Sequence, residues 1–217
     1  MYRLFTAIDL PDQIKSELMA ICCGLPDTKW VPADQLHLTL RFIGEVDGVM
    51  LNEIKGALAE VKSHPCAMRL KGIGHFPPRK QPKVLWAGVE DHKPLVQLRN
   101  RIESILVRCG LEPEHRKFSP HITIARLRDT PISKVARLKI PAASHGESPY
   151  GRILSSDSLT NPAASCGECV SLCMFMAAHS LFNTSEFTVQ EFHLYSSYLT
   201  PKGAIHHQEA SYLLLNP

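Results

Sequence analysis

The residues best suited to chemistry in this 217-residue chain occur as two copies of one short pattern. "LHLTL" places His37 and Thr39 between leucines, and "PHITI" places His121 and Thr123 before isoleucines. Histidine titrates near neutral pH, so that of two histidines one can act as a base while the other acts as an acid. Threonine hydroxyls can bind non-bridging phosphate oxygens. The four side chains therefore suit displacement at phosphorus, and this chemistry requires no metal.

Both copies have the alternation of a β-strand, in which residues i and i+2 share a face. His37 and Thr39 are therefore expected on one face of their strand, and His121 and Thr123 on the same face of theirs. The residues between them are predicted to be buried, and they are Leu38, Leu40, Ile122 and Ile124. A rigid sheet would then present an imidazole and a hydroxyl from each copy.

The two copies occupy matching places in a longer repeat, with 84 residues between the two histidines. Each half of the chain reads as a strand, a helix and then the His-Thr strand. The first half comprises a strand over 2–10, a helix from Asp12 that is closed by Gly24 and Pro26, and a strand through Leu40 to Phe42. The second half comprises a strand over 83–91, a helix over 94–111 and a strand over 118–127. The repeat predicts two similar lobes related by a pseudo-twofold axis, with the His-Thr strands meeting near that axis.

Further helices and strands are predicted outside this repeat. They are a helix over 50–64, a strand over 67–76, a possible start of a helix over 133–138, and closing strands over 187–199 and 210–215. The segment 139–174 shows no sustained period and is rich in Ser, Pro, Gly, Ala and Cys. It predicts a low-complexity insertion within a single domain over 1–217.

The composition is that of an ordinary globular chain, with 44% hydrophobic and 21% charged residues. The net charge of +3 is too small to identify a nucleic-acid partner, but it suits an anionic ligand at a local positive site. No stretch approaches the roughly 18 to 20 apolar residues needed to span a bilayer. The N-terminal segment lacks the pattern of a signal peptide, and the odd number of cysteines, seven, argues against a secreted disulfide framework. We therefore expect a cytoplasmic protein without a membrane partner.

Several residues near the two motifs are weaker candidates for ligand contacts. Arg126 follows His121 by five residues, an odd offset, so it reaches the same face only beyond a bend in the strand; there it would clamp a phosphate. Arg41 lies near the end of its strand and its direction stays open. Phe42 and Trp30 would either stack on a base or belong to the core.

Three cations lie close to these motifs in the sequence. Lys83, Arg116 and Lys117 would either contact an RNA backbone or lie on a solvated surface, and we favour the solvated surface. The run "CGECVSLC" over 166–173 has a spacing found in zinc and iron–sulfur sites, with His179 as a fourth candidate ligand. Because only three cysteines stand in a low-complexity setting, we expect free thiols and no metal.

The motifs resemble a known group of proteins. "HLTLRFIGEV" and "SPHITIARL" resemble the paired His-x-Thr-x motifs of the 2H phosphoesterase superfamily. More narrowly, the chain is similar to the bacterial RNA 2',3'-cyclic phosphodiesterases, also called 2'-5' RNA ligases. "RLFTAIDLP", "PPRKQPKVLWAGVE" and "FHLYSSYLTPKGAIH" carry further likeness. The similarity covers about 1–138 and 175–215, whereas the family runs fairly directly from one part to the other.

The resemblance implies an α+β, bilobal fold with pseudo-twofold duplicated antiparallel sheets, helices on the outer faces and a central active-site cleft. It implies metal-independent hydrolysis of an RNA 2',3'-cyclic phosphate end to a 2'-phosphomonoester. In that scheme His37 donates a proton to the departing 3' oxygen and His121 accepts a proton from water. Thr39, Thr123 and Arg126 hold the phosphate. The implied partner is RNA or an oligonucleotide with a 2',3'-cyclic phosphate end, without a cofactor, and we expect a monomer.

Two other functions remain open at this stage. The same site could join RNA ends in 2'-5' linkage or reverse that joining, because the chemistry is symmetric. Alternatively, the chain could be a catalytically idle module that binds RNA or a nucleotide. The intact set of His37, Thr39, His121 and Thr123 argues against the idle module, since binding alone needs no paired acid and base.

Overall fold

A computed structural model describes residues 1–78, 81–91, 93–127, 172–200 and 203–215. Nine strands and four helices are present in these ranges, together with a short 3-10 turn at Ala33–Gln35. The helices are α1 (Asp12–Met19), α2 (Gly48–Leu58), α3 (Lys93–Arg108) and α4 (Leu172–Ala178). The strands are β1 (Tyr2–Asp9), β2 (Thr28–Trp30), β3 (His37–Val46), β4 (Cys66–Phe76), β5 (Val84–Glu90), β6 (His121–Leu127), β7 (Phe187–Val189), β8 (Glu191–Thr200) and β9 (Gly203–Leu213).

The strands form one curled antiparallel sheet in the order β7-β4-β5-β6-β3-β1-β8-β9, and the short strand β2 pairs with β6. The two His-Thr strands, β3 and β6, lie side by side at the centre. Moving outwards, β1 and then β8 follow β3, while β5 and then β4 follow β6. The arrangement on one side of the centre therefore matches that on the other, with β1 equivalent to β5 and β8 equivalent to β4.

This order confirms the predicted α+β fold with duplicated halves. Strands β3 and β6 are antiparallel and pair at Leu38 and Ile122, the residues that follow the two histidines. Because corresponding residues pair with each other here, an axis of pseudo-twofold symmetry passes close to this point. From it the two strands diverge, and each carries its histidine at the end nearest the axis.

The hydrophobic core lies on the face of the sheet opposite to the histidines and is covered by helices α1, α2 and α3. Leu38, Leu40, Ile122 and Ile124 are buried there as predicted. Each helix contributes one apolar stripe, and the buried residues are Ile14, Leu18, Leu51, Ile54, Leu58, Leu95, Leu98, Ile102, Ile105 and Leu106. The inner face of the sheet and the apolar stripes of the helices bury each other, and this packing fixes the central strands. The opposite face of the sheet, which carries the histidines, stays open.

Several predicted elements differ from the structure. The helix predicted over 50–64 is Gly48–Leu58, and the strand predicted over 210–215 is the end of β9. The first helix ends at Met19, several residues before the turn at Gly24, which has a positive φ of 82°. The predicted strand over 187–199 is two strands, β7 and β8, separated by Gln190. Strand β7 pairs with β4 and β8 pairs with β1, so the chain moves from one half of the sheet to the other at this residue. Residue alternation does not report which neighbour a strand has, so the sequence did not reveal the break.

Most of the predicted insertion over 139–174 lies outside the described residues, as does the possible helix over 133–138. The last three residues of the insertion, 172–174, begin helix α4. The assignment of 1–217 to one domain with an insertion thus stays a prediction. No helix within the described ranges is long and apolar enough to span a membrane.

Candidate active site

Strands β3 and β6 each contain an irregularity three residues after the histidine. Along the β1–β3 ladder, Thr39 pairs with Ala7 and Arg41 with Thr6, so Leu40 is skipped. Along the β5–β6 ladder, Ile124 is skipped in the same way. Such a bulge shifts the alternation of faces by one residue beyond it. Leu40 and Ile124 are themselves 84 residues apart, so the bulge is part of the repeat.

The two bulges turn Phe42 and Arg126 towards the face that carries the histidines. The bend required by the odd offset of Arg126 is therefore the bulge at Ile124. Phe42 and Arg126 occupy equivalent places in the two halves and both are exposed, Phe42 with 57% of its surface accessible. The side chain of Arg126 forms no hydrogen bond or ion pair with another described residue. The sequence prediction that both residues can contact a ligand is compatible with this placement.

Arg41 is turned to the opposite side by the same bulge. Its side chain is 9% exposed, and its Nε donates a hydrogen bond to Glu103 Oε2 on helix α3 at 2.7 Å. A second hydrogen bond runs from Nη2 to the backbone oxygen of Glu112, also at 2.7 Å. Arg41, whose direction the sequence left open, thus joins the central strand to α3 and the segment that follows it.

Each histidine is held by the backbone in the same way. His37 Nδ1 lies 2.8 Å from the carbonyl oxygen of Gln35, and His121 Nδ1 lies 2.7 Å from that of Ser119. A carbonyl oxygen only accepts, so both Nδ1 atoms carry a proton. Each neutral imidazole therefore has its lone pair on Nε2. Neither Nε2 is engaged by another residue in the described ranges, and this leaves both atoms for a ligand.

The surroundings of His37 are aromatic and enclosed. Its ring lies 5.2 Å from that of Phe5 and 5.4 Å from that of His206, measured between centroids. Burial lowers the pKa of His37 to about 4, which outweighs the opposite effects of the Gln35 hydrogen bond and of Asp9. In the free protein His37 is accordingly neutral at pH 7.

His121 lies in a different setting on the other side of the axis. Its ring is 5.0 Å from Phe76 and 6.3 Å from Trp86, and both contacts are edge-on. Trp86 in turn lies flat over Gly74, where an added Cβ would approach the Trp86 ring to 2.2 Å. Gly74 is thus needed because the indole occupies the space of a side chain, and the indole then forms a wall beside His121.

The threonines complete the central group. Continuing the pairing of Leu38 with Ile122 by one residue places His37 opposite Thr123 and His121 opposite Thr39. All four residues are partly exposed. Neither threonine hydroxyl forms a hydrogen bond with another described residue, so both can donate to or accept from a ligand. The four side chains that the sequence singled out therefore lie together at the pseudo-twofold axis.

A polar network supports the His37 side of the cleft. Tyr195 donates a hydrogen bond to Asp9 Oδ2 at 2.8 Å, and Asp9 is the cross-strand partner of His37. His193, which is buried, lies 4.0 Å from the same carboxylate oxygen through Nε2. Tyr195 also stacks on Phe5 with centroids 5.4 Å apart. This network fixes the wall against which His37 packs.

The remaining candidates from the sequence have structural or surface positions. Trp30 packs partly buried against the core with its ring 5.8 Å from that of Phe175. Arg116 is paired with Glu114 at 2.6 Å, while Lys83 and Lys117 are exposed at the surface. Within the described ranges there is no cluster of His, Cys, Asp and Glu able to hold a metal ion. Cys166 and Cys169 of the cysteine-rich run lie outside those ranges, so the expectation of free thiols there stays a prediction.

The sequence did not single out the residues that enclose His37. Phe5, Tyr195 and His206 come from β1, β8 and β9, and only the ladder between these strands brings them together. All three belong to segments quoted for their family likeness. Only Tyr195 alternates with buried neighbours, Leu194 and Ser196, and this local signal does not say which histidine it adjoins.

Comparisons with solved structures identify the fold. A phosphoesterase crystal structure aligns with a TM-score of 0.67 at 22% identity, over 99% of this chain and 99% of that chain. The structure of E. coli LigT complexed with 3'-AMP aligns with a TM-score of 0.66 at 22% identity, again over 99% of both. The curled sheet with two central strands is therefore the phosphoesterase fold.

Sequence comparisons identify the family. The sequence model of the 2'-5' RNA ligase superfamily matches residues 10–148. A protein of Archaeoglobus fulgidus named RNA 2',3'-cyclic phosphodiesterase is 32% identical over 150 residues, covering 67% of this chain and 84% of that protein. One of the same name from Thermotoga maritima is 36% identical over 135 residues, covering 59% and 72%. This chain belongs to the 2'-5' RNA ligase superfamily, in agreement with the resemblance seen in its motifs.

Proposed function

We propose that this protein hydrolyses 2',3'-cyclic phosphodiester ends of RNA to 2'-phosphomonoesters, with His37 and His121 as its acid and base. The observation that carries the proposal is the matched presentation of the two imidazoles. Each Nδ1 is bound to a backbone carbonyl two residues earlier, so each Nε2 is directed away from the backbone. A module that only bound RNA would not need this arrangement twice. The names of the homologous proteins support the same substrate.

His37 and His121 together can carry out both proton transfers of this hydrolysis. The oxygen of water attacks phosphorus, and its proton passes to Nε2 of His121. The bond between phosphorus and the 3' oxygen breaks, and this oxygen takes a proton from Nε2 of His37. The products are a 2'-phosphomonoester and a 3'-hydroxyl. His121 then releases its proton to solvent, and His37 takes up a proton from solvent when the next substrate binds.

The proton on His37 depends on the substrate. Because burial lowers the pKa of His37 to about 4, the free protein holds this residue neutral at pH 7. A phosphodiester carries a negative charge, and such a charge within hydrogen-bonding distance favours the imidazolium form. In this proposal the substrate itself raises the pKa of His37 on binding. The acid is then charged only when there is a leaving group to protonate.

The other residues of the cleft bind the substrate. Thr39 and Thr123 offer hydroxyls to the non-bridging oxygens, and Arg126 supplies a positive charge on the His121 side. Phe42 offers an exposed ring on which the terminal base can stack. We further predict that the protein acts as a monomer in the cytoplasm, on RNA and without a cofactor.

An assay with an RNA oligonucleotide ending in a 2',3'-cyclic phosphate tests the proposal. In buffer with excess EDTA, we expect conversion of the end to a monoester that alkaline phosphatase removes. The control is the same oligonucleotide ending in a 3'-phosphate, which should stay unchanged before phosphatase is added. Loss of conversion in EDTA would contradict the metal-independent mechanism, and no conversion under any condition would contradict the activity.

Joining of RNA ends is the second activity that the same site can support, and the description of the matching family includes it. A 5'-hydroxyl of a second RNA would take the place of water and lose its proton to His121. Adding an RNA with a 5'-hydroxyl to the assay distinguishes the two. A ligated product with a 2'-5' linkage would show the joining reaction, and hydrolysis alone would limit the site to water.

A further inference from the structure

Strand β9 brings a third histidine to the cleft, beside His37. The ring of His206 is 5.4 Å from that of His37 at an interplanar angle of 84°, and 5.0 Å from that of Phe5. His206 pairs with Ser197 in the β8–β9 ladder, two residues along the same face from Tyr195. The adjacent His207 belongs to the opposite face and is 72% exposed. Of these two neighbouring histidines, only His206 adjoins the candidate active site.

The two ring nitrogens of His206 differ in their surroundings. Among the described residues, Nδ1 is buried without a hydrogen-bond partner, whereas Nε2 is not enclosed in this way. A buried N–H without an acceptor is rarer than a buried acceptor without a donor. The neutral ring therefore carries its proton on Nε2. Burial also lowers the pKa of His206, which keeps the ring neutral at pH 7.

We propose that His206 contacts the substrate, donating a hydrogen bond from Nε2 to a non-bridging oxygen of the phosphate held between His37 and His121. This inference rests on the proposed cyclic phosphodiesterase function. It adds a third histidine to the two of the repeated motif.

The difference between the two halves explains why a donor is needed here. On the His121 side, Arg126 provides cationic donors, but its equivalent on the His37 side is Phe42, which has none. A second cation beside His37 would oppose the protonation of His37. A neutral N–H binds a phosphate oxygen without that penalty. His206 thus supplies a donor of the kind that the acid side of the site tolerates.

Two substitutions separate the donor from the ring. His206→Phe keeps an aromatic ring against His37 and Phe5 but removes the N–H group. His206→Gln loses the ring, but its amide nitrogen reaches about as far as Nε2. The matched control is His207→Phe on the opposite face of the same strand. Because Nδ1 of His206 has no partner, His206→Phe should fold with an unchanged or higher melting temperature.

Isothermal titration calorimetry with adenosine 2'-monophosphate, and kinetics with adenosine 2',3'-cyclic phosphate, provide the measurements. For His206→Phe we expect binding of the monophosphate and kcat/KM each to fall by about 10-fold or more, the scale of one hydrogen bond to a charged group. His206→Gln should recover most of both losses. His207→Phe should match the wild type.

Three results would overturn the inference. Wild-type binding and turnover in His206→Phe would show that the N–H makes no contact. If His206→Gln recovers neither loss, the missing N–H group does not account for the defect of His206→Phe. If the wild-type protein neither binds the monophosphate nor converts the cyclic nucleotide, the proposed function fails and the inference fails with it; the first two results leave that function intact.

Discussion

The two halves of the sheet share a backbone design but surround their histidines differently. In both halves the histidine Nδ1 is hydrogen-bonded to the carbonyl oxygen of the residue two positions earlier. A threonine follows two positions after the histidine, and a bulge follows directly after the threonine. His37 is packed among Phe5 and His206, and its pKa is lowered to about 4 by burial. His121 instead lies against Phe76 and Trp86.

The repeated features set the direction of each imidazole, and the unrepeated ones set what surrounds it. Cross-strand pairs show how the halves came to differ in their side chains. Ala7 pairs with His193 in one half, whereas the equivalent pair in the other half is Trp86 with Gly74. A large and a small residue have exchanged places across the ladder. The backbone stays equivalent while the wall beside each histidine changes, so a symmetric sheet gives its two central histidines different surroundings.

Removal of either central histidine is expected to have the largest effect. His37→Ala and His121→Ala should each lower kcat for a 2',3'-cyclic nucleotide by at least about 100-fold, the usual scale for a lost general acid or base. The double variant should be little worse than either single variant, because the two residues act as a unit. His207→Ala is the control and should keep full activity. A single variant that retains wild-type kcat would refute the dyad.

The equivalent residues Phe42 and Arg126 should differ in what they recognise. Arg126→Ala should lower kcat/KM by about 10- to 100-fold for every cyclic phosphate, because it removes a charged hydrogen bond. Phe42→Ala should cause a comparable loss of about 5- to 100-fold only when a base is present to stack. The measurement compares adenosine 2',3'-cyclic phosphate with an abasic ribose 2',3'-cyclic phosphate. If both variants lose the same factor with both substrates, the two halves do not divide these roles.

Two glycine-to-alanine substitutions test, through the free energy of unfolding, the packing of Trp86 that is specific to the His121 half. Gly74→Ala should lower the free energy of unfolding by about 1–3 kcal/mol, because its Cβ would collide with the Trp86 ring. Gly56→Ala in helix α2 meets nothing within 4 Å and should raise it by about 0.5–1 kcal/mol. Urea unfolding measures both. Equal effects of the two substitutions would contradict the placement of Trp86 over Gly74.

The pH dependence of stability should reflect the burial of His37. An unfolded histidine titrates near pH 6.5, whereas burial lowers the pKa of His37 in the folded protein to about 4. Between these values protons bind preferentially to the unfolded chain. Stability is therefore complete above about pH 6.5 and falls as the pH drops towards 4.

Replacement of His37 by glutamine should make this fall shallower, as measured by urea unfolding at several pH values. Some dependence should remain, since burial also lowers the pKa of His179 and of His206. His207→Gln serves as the control, because His207 is largely exposed, and it should change the profile less than His37→Gln does. An identical profile for His37→Gln and the wild type would show that His37 is not held neutral by burial.

Much of the fold and the centre of the site could be predicted from the residues. Alternation around His37 and His121 identified the exposed face, and their matching places in the repeat indicated that the strands meet. The bulges at Leu40 and Ile124 leave no local signature, because a skipped residue is defined by the partner strand. The direction of Arg41 followed from that skip and stayed open for this reason.

The residues beyond the motifs were harder to predict because ladders far apart in the sequence position them. Whether His206 or His207 faces the cleft depends on the register between β8 and β9, which is shifted by one residue between Leu194 and Tyr195. Neighbouring histidines on one strand look alike in a sequence. Only the strand pairing shows that His206 adjoins His37 and that His207 is exposed to solvent.

The most direct test of the central claim is the position of the phosphate in the product. Adenosine 2',3'-cyclic phosphate is incubated with the protein in EDTA and water enriched in oxygen-18, and the product is followed by phosphorus NMR. We predict adenosine 2'-monophosphate with one oxygen-18 on phosphorus, and almost none from His37→Ala or His121→Ala. Adenosine 3'-monophosphate as the product would contradict the account, because the proton from His37 would then have gone to the wrong oxygen.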